Sequence, residues 1–222
     1  MNKQMFVGLA AEGTTDIRFL TSIVKRTLNE VAFQESRYNI DIYVNDIYVS
    51  KSGLSFTEYV ANASREGVRQ FGMMALAIHT DADTNTYEER FRNKILPTQE
   101  YLNNIEDEDI CKLLIPIIPV RMTEAWMLAD KQLLKNEIGT TKSDSELGIN
   151  RDPEAFSDPK EVIENAIRIA TQDYPKRRRR LNISELYSII GDKLSTAELS
   201  RLESYRNFRA EVRNAYRAFD YI

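Results

Sequence analysis

Short apolar runs that alternate with segments of helical periodicity are the feature that most constrains the fold of this 222-residue chain. Three runs are apolar almost throughout: MFVGLAA (5–11), MMALAIHT (73–80) and CKLLIPIIPV (111–120). A fourth segment, IDIYVNDIYVS (40–50), alternates and is rich in β-branched and aromatic residues, which favours a strand. Strands that alternate with helices predict an α/β fold with a mainly parallel sheet. The prolines of 111–120 place that strand at an edge or a strand end.

The segments between these strands carry helix signals. Apolar positions after Gly13 recur at helical spacing from Ile17 to Val31, with Thr14, Thr15 or Asp16 as the expected cap. Ser55 and Glu58 form a predicted capping box. We also expect a helix over 86–105 that is broken at Pro97, and a short helix over 123–130. The chain after Asp158-Pro159 is expected to be mainly helical.

These patterns divide the chain into three parts. Residues 1–136 are expected to form the α/β core, and the polar, glycine-containing stretch 137–158 a connecting loop. Residues 159–222 are expected to form a helical extension. Its last helix has an aromatic stripe on one face and four arginines on another: Arg206, Arg209, Arg213 and Arg217.

Composition and charge limit the classes of function. No run approaches the ~18 apolar residues of a membrane span, so no membrane partner is expected. One cysteine and one histidine exclude an internal disulfide and make an ordinary zinc site implausible, and they favour a reducing cytoplasm. Residues 1–170 hold 19 basic and 27 acidic side chains, whereas 171–222 hold 11 and 7. The basic tail fits either a polyanion contact or a solvated helix face.

Acidic residues follow two of the predicted strands at the point where each strand ends. Glu12 comes directly after the first strand, and Asp81 and Asp83 come after MMALAIHT. Ligands of open α/β sheets bind beyond the carboxyl ends of the strands. Hard divalent cations such as Mg²⁺ or Mn²⁺ take carboxylate oxygens. The sequence therefore predicts a metal site at this edge, with Glu12 as a ligand or as the general acid or base.

Two further carboxylates have open roles. Glu124 follows the third apolar run and is either an additional ligand or a residue that favours the start of its helix. Asp16 is either a ligand or a cap for the helix in which it lies. His79 lies two residues before Asp81, so it points to the same face of the strand, where a structural role is favoured over a place in the site.

The order strand–Glu-Gly-x-[Thr/Ser]-Asp–helix, followed by strand–Asp-x-Asp, resembles the Toprim superfamily. The residues that carry the resemblance are Glu12, Gly13, Thr15, Asp16, Phe19, Leu20, Asp81 and Asp83. The resemblance implies a Rossmann-like Toprim fold, an acid/base or metal-binding role for Glu12, and Mg²⁺ binding by Asp81 and Asp83.

A closer resemblance is to small stand-alone bacterial Toprim proteins, namely RloB-like, OLD-type and PARIS-type phage-defence nucleases. The segment Pro119–Asp130, with Glu124, Trp126, Leu128 and Asp130, and the sequence Asp-Pro-Lys at 158–160 carry it. The resemblance covers roughly residues 5–175. It implies an effector nuclease that works beside an ATPase encoded nearby.

We therefore expect a Mg²⁺-dependent nuclease that hydrolyses DNA or RNA. The basic run Lys176, Arg177, Arg178, Arg179 and Arg180 is the expected contact to the nucleic-acid backbone. The alternative is a non-catalytic module that binds metal or nucleotide and docks on the ATPase through its last helix. The sequence does not indicate whether the substrate is DNA or RNA. It also leaves the oligomeric state open, and a homo-oligomer is one possibility.

Overall fold

A computed structural model of the chain describes residues 2–83, 86–175 and 181–222. Its centre is a four-stranded, all-parallel sheet in the order β2-β1-β3-β4. The strands are β1 (Asn2–Ala10), β2 (Asn39–Asp46), β3 (Ala75–His79) and β4 (Leu114–Ile117). Helices flank this sheet, so the expected Rossmann-like α/β arrangement with a helical extension is confirmed. The proline-containing strand β4 lies at an edge, as predicted.

The described residues form ten α-helices. They are α1 (Thr14–Glu35), α2 (Phe56–Phe71), α3 (Tyr87–Arg90), α4 (Leu96–Asn103), α5 (Glu124–Met127), α6 (Lys131–Ile138), α7 (Pro159–Thr171), α8 (Leu186–Lys193), α9 (Thr196–Leu199) and α10 (Glu203–Ala218). A π-helical turn (Phe91–Ile95) joins α3 to α4, and 3-10 turns lie at Pro153–Ala155 and Ile183–Glu185.

Alternating strand residues contribute to two hydrophobic clusters, because successive side chains of a strand point to opposite faces. One face of β1 and β3 contributes Val7, Leu9, Ala75 and Ala77 to a cluster shared with α1 and the C-terminal helices. The other face contributes Ala10, Leu76 and Ile78 to a cluster shared with α2 and α4. Helices therefore cover the sheet on both sides, which is typical of parallel sheets.

The helices of residues 159–222 share the core of the sheet. The aromatic stripe of α10 is buried, with Tyr205, Phe208 and Tyr216 at 0% exposure. Tyr205 and Phe208 pack against Trp126 of α5, with ring centroids 5.4 and 6.1 Å away. This stripe therefore belongs to the interior of the chain and offers no free docking surface.

Helix α1 is held between the sheet and the C-terminal helices by specific polar contacts. The Thr27 and Tyr205 hydroxyl oxygens lie 2.8 Å apart, and the Tyr216 hydroxyl donates to the Leu28 carbonyl at 3.0 Å. The Arg26 guanidinium donates to the carbonyls of Gly191, Asp192 and Leu194 at the end of α8. Carbonyls at a helix end lack partners within the helix, so Arg26 caps α8 while tying it to α1.

The local helix signals are confirmed with some differences in detail. Ser55 and Glu58 form the predicted capping box, and Asp158 caps α7 ahead of Pro159. Gly13 occupies the N-cap position of α1, and Asp16 accepts a hydrogen bond from its N–H. Pro97 does not end the helical segment: the five residues before Leu96 form the π-helical turn, and α4 continues through Pro97. The strand predicted over 40–50 ends at Asp46.

No helix in the described ranges combines the length and the apolar character that a membrane crossing needs.

We expect Gly191→Ala to destabilise the protein, because a Cβ there would lie 2.4 Å from the Phe19 carbonyl oxygen on α1. Such crowding between two backbones costs about 1–3 kcal/mol. Helix propensity alone predicts the opposite sign, a gain of about 1 kcal/mol for alanine. Urea unfolding measures the difference, with Ser188→Ala on the exposed side of α8 as the control. Equal or greater stability of Gly191→Ala would contradict the close α1–α8 contact.

Candidate functional site

Carboxylates gather at the carboxyl edge of the sheet. Glu12 follows β1, Asp81 follows β3, and Glu124 begins α5 after β4. Asp16 reaches the same edge from the first turn of α1. Since β1, β3 and β4 are adjacent and parallel, their following segments meet at one end of the sheet.

The Glu12 side chain is exposed, and one of its carboxylate oxygens accepts a hydrogen bond from a buried threonine hydroxyl. Thr80, which is fully buried, donates its side-chain hydrogen bond to Glu12 Oε1 at 2.5 Å. The preceding residue, Ala11, accepts a hydrogen bond from Tyr59 through its carbonyl at 2.9 Å. The backbone and one carboxylate oxygen of Glu12 are thus positioned, while its side chain stays accessible to solvent.

Asp81 lies in a small hydrogen-bond network. Its Oδ1 accepts from the Thr123 backbone N–H at 3.0 Å and lies 3.2 Å from His79 Nε2. The Thr123 hydroxyl lies 2.9 Å from the same histidine nitrogen. Burial alone would lower the pKa of His79, but its hydrogen bond to Asp81 and the charges of Asp81, Asp16 and Glu12 together raise it.

Asp16 combines a capping role with a place in the cluster. Its Oδ2 accepts the hydrogen bond of the Gly13 N–H at 2.9 Å. The same oxygen lies 3.9 Å from His79 Nδ1, a fully buried nitrogen with no hydrogen-bond partner in the described chain. The two roles left open for Asp16 are therefore compatible.

Glu124 is buried and is bound by a residue of the helical extension. The Tyr187 hydroxyl, from α8, donates to Glu124 Oε1. Burial raises the pKa of Glu124, the Tyr187 hydrogen bond opposes this shift, and the charges of Asp81 and Asp16 add to it. Burial and the bond to Glu124 likewise raise the pKa of Tyr187. Residues 159–222 thus contribute directly to the site.

Lys51 adds a cation to this cluster. Burial lowers the pKa of Lys51, against the opposing influence of Glu12, Asp16 and Asp81. The same three acids act on His79, and two of them, Asp16 and Asp81, act on Glu124. These shared electrostatic effects indicate that Glu12, Asp16, Asp81 and Glu124 occupy one neighbourhood.

Asp83 is oriented differently from Asp81. Its backbone has φ 55°, a left-handed conformation, and its carboxylate forms an ion pair with Arg90. The side chain of Asp83 is 75% exposed. Opposite it, Arg121 also has a positive φ, and its carbonyl accepts from the Asp83 N–H at 3.2 Å. The turn therefore directs Asp83 to Arg90, although a regular strand would direct it to the side of Asp81.

The donor set fits a hard divalent cation only in part. Among the described residues, no group of three His, Cys, Asp or Glu side chains is arranged to hold a metal ion. Mg²⁺ commonly keeps several waters and binds proteins through one or two carboxylates, so a complete protein cage is not required. The carboxylate oxygens of Asp81, Glu12, Asp16 and Glu124 are of the chemical type that Mg²⁺ or Mn²⁺ takes.

The expected nucleic-acid contact at Lys176–Arg180 lies outside the described residues. Arginines of the basic face of α10 bind other groups of the chain. Arg213 pairs with Glu35 at 2.6 Å, Arg209 donates to Gln34, and Arg206 donates to the carbonyls of residues 200 and 201. These bonds tie α10 to α1 and to the preceding turn.

Several residues of the site were not predicted from the sequence. Thr80 directly precedes Asp81, so its place at the edge of the sheet was available to sequence reasoning. Lys51 and Tyr187 lie in a loop and on a distant helix, and no spacing relates them to the acids. Only the tertiary fold brings them to the site.

No protein-family model matches the chain, and neither a curated protein nor a solved structure shows significant similarity to it.

We expect Glu124→Gln to stabilise the metal-free protein by about 0.5–2 kcal/mol, the usual scale of one stabilising substitution. The change replaces a buried carboxyl, whose charged form is disfavoured by burial and by Asp81 and Asp16, with a neutral amide whose oxygen can still accept from Tyr187. Thermal unfolding in EDTA at pH 7 measures the effect. Glu100→Gln, on the exposed side of α4, is the control and should have no effect. A loss of stability in Glu124→Gln would argue against charge repulsion at this edge.

Proposed function

We propose that this protein is a Mg²⁺- or Mn²⁺-dependent nuclease that hydrolyses phosphodiester bonds of DNA or RNA. The observation that carries the proposal is the convergence of Glu12, Asp81 and Glu124 after three adjacent parallel strands, joined by Asp16. Carboxylates repel one another, and Glu124 is buried among them at a cost to stability. Such a cost is expected where a cation or a reaction requires the arrangement.

The resemblance to the Toprim superfamily, which includes these acids in its motifs, supports the same activity. Three of the acids that carry it, Glu12, Asp16 and Asp81, also act together on the pKa values of Lys51 and His79. Asp83, the fourth acid of the resemblance, is bound by Arg90. We therefore propose Asp81 as the main ligand of the Asp-x-Asp pair, with Asp16 and Glu124 as its supporting carboxylates.

Glu12 is the proposed general base. Its carboxylate is exposed to substrate, and the Thr80 hydroxyl orients it. In this role Glu12 takes a proton from the attacking water, which adds to phosphorus as the bond to the leaving oxygen breaks. The leaving oxygen departs with the bonding electron pair and takes a proton from solvent. Asp81 is held by Thr123 and His79, so it keeps one orientation during the reaction. A Mg²⁺ ion bound at Asp81 would polarise the phosphate and lower the pKa of a bound water.

We further propose a cellular role for this nuclease. It would act in the cytoplasm as the effector of a bacterial anti-phage system, together with an ATPase partner. Its support is the resemblance to small Toprim proteins. The competing proposal, a non-catalytic module, relied on α10 as the docking helix. Because the aromatic stripe of α10 is buried and its arginines bind within the chain, such a module would need another docking surface.

We expect Glu12→Gln to reduce metal-dependent cleavage at least 100-fold, the scale of general-base catalysis, without unfolding the protein. Glutamine retains an oxygen that can accept from Thr80 but cannot take a proton from water. The assay uses purified protein with Mg²⁺ or Mn²⁺ on plasmid DNA and on tRNA. Glu100→Gln is the matched control, and circular dichroism verifies folding.

The assay separates the two proposals. Cleavage that is undiminished in Glu12→Gln would exclude Glu12 as the base. Metal binding by the wild-type protein, without cleavage of either nucleic acid by the protein alone or with the ATPase encoded nearby, would favour the non-catalytic module.

The environments of Asp81 and Asp83 predict different effects of removing their charges. A metal that binds only the folded state raises the melting temperature. We expect an excess of Mn²⁺ to raise the melting temperature of wild-type protein and of Asp83→Asn, but not of Asp81→Asn. Asparagine at 81 keeps an oxygen for Thr123, so the variant should fold. If Asp83→Asn lost the Mn²⁺-dependent rise in melting temperature to the same extent as Asp81→Asn, Asp83 would have to leave Arg90 to bind the metal.

A further inference from the structure

A cavity of about 350 Å³ lies directly beside Glu12. One wall is the turn between β1 and α1, and the other is the loop that leads from β2 to α2. The lining residues include Glu12, Thr14, Tyr48, Ser50, Lys51 and Tyr59. Its size lies within the range of small-ligand pockets. The proposed mechanism uses only Glu12 of this set, which leaves the rest of the cavity without a role.

Lys51 provides a positioned cation at this cavity. Its ammonium nitrogen lies 4.7 Å from the centroid of the Tyr59 ring, a distance at which a cation is attracted to the ring. Tyr59 is itself buried and fixed by the hydrogen bond to the Ala11 carbonyl. Across the described chain, Lys51 forms no ion pair, so its charge is available to an anion.

Tyr48 provides an aromatic face at the same cavity. Its side chain is 65% exposed, in contrast to Tyr59 beside it, which is 4% exposed. Exposed aromatic rings beside a cation are the usual means by which proteins bind single-stranded nucleic acid, since the ring stacks on a base while the cation contacts phosphate.

We propose that this cavity binds the nucleotide next to the scissile phosphate, with Lys51 on its phosphate and Tyr48 stacked on its base. This inference rests on the proposed nuclease function and extends it to the substrate: a nucleic acid that is single-stranded, or is opened, at the cleavage point. A paired base would not be free to stack on Tyr48. Lys51 also offsets the repulsion between the phosphate and Glu12, Asp16 and Asp81.

Binding of a short oligonucleotide tests the subsite independently of cleavage. The probe is a fluorescein-labelled single-stranded DNA pentanucleotide, measured by fluorescence anisotropy in Ca²⁺ buffer, with its integrity checked by electrophoresis. We expect Lys51→Met and Tyr48→Ala each to weaken binding roughly tenfold, a typical effect of losing one base stack or one phosphate contact.

Two features of the binding distinguish the roles of these residues. Lys51→Met should reduce the slope of log affinity against log salt by about 0.7, the value for one phosphate contact on a single strand, while Tyr48→Ala should leave it unchanged. With an abasic deoxyribose-phosphate probe of the same length, the Tyr48 effect should disappear and the Lys51 effect should persist. Lys25→Met and Tyr101→Ala, at exposed positions outside the cavity, are the matched controls.

The outcomes for the subsite and for the nuclease can be told apart. Binding by Lys51→Met and Tyr48→Ala equal to that of their controls would overturn the subsite, as would an absence of binding by wild type. Wild-type binding that depends on both residues, without metal-dependent cleavage, would support the subsite and refute the nuclease. Cleavage that is unaffected by either substitution would support the nuclease and refute the subsite.

Discussion

The burial of α1 on two sides is the constraint on which the rest of the structure depends. One side of this helix packs on the sheet, and the other is covered by α8 and α10. The close approach at Gly191 and the bonds of Arg26 fix α8 against α1. As a result, Asp16 at the start of α1 and Tyr187 on α8 reach the same edge of the sheet. The helical extension is therefore part of the framework that shapes the site.

The edge of the sheet carries an electrostatic cost that the fold only partly offsets. Hydrogen bonds from Thr80, Thr123 and Tyr187 each stabilise one carboxylate. Lys51 adds a positive charge, and His79 can add one when it is protonated. The acidic neighbours of His79 raise its pKa and so favour its protonated form. The raised pKa of Glu124 shows that these groups do not fully compensate its burial. A bound cation would favour the charged form of Glu124, which links its burial to the proposed chemistry.

The sequence was sufficient to predict the parallel sheet and the edge at which Glu12, Asp81 and Glu124 lie, because strand ends and parallel topology are encoded in local patterns. Capping by Ser55 and Asp158 was predictable for the same reason. The contributions of Lys51 and Tyr187 were not, since they depend on how a loop and a distant helix pack. The aromatic stripe of α10 was visible in the sequence, but periodicity alone cannot distinguish a buried face from a docking face.

The difference between Asp81 and Asp83 shows where pattern reasoning reached its limit. A spacing of two places both carboxylates on one side only while the backbone stays extended. The positive φ of Asp83 and of Arg121 breaks that alternation, and Arg90 then pairs with the redirected carboxylate. A left-handed conformation at two residues other than glycine is uncommon and concentrates at functional sites. The turn that separates the two aspartates therefore depends on backbone conformations that an extended-strand pattern cannot reveal.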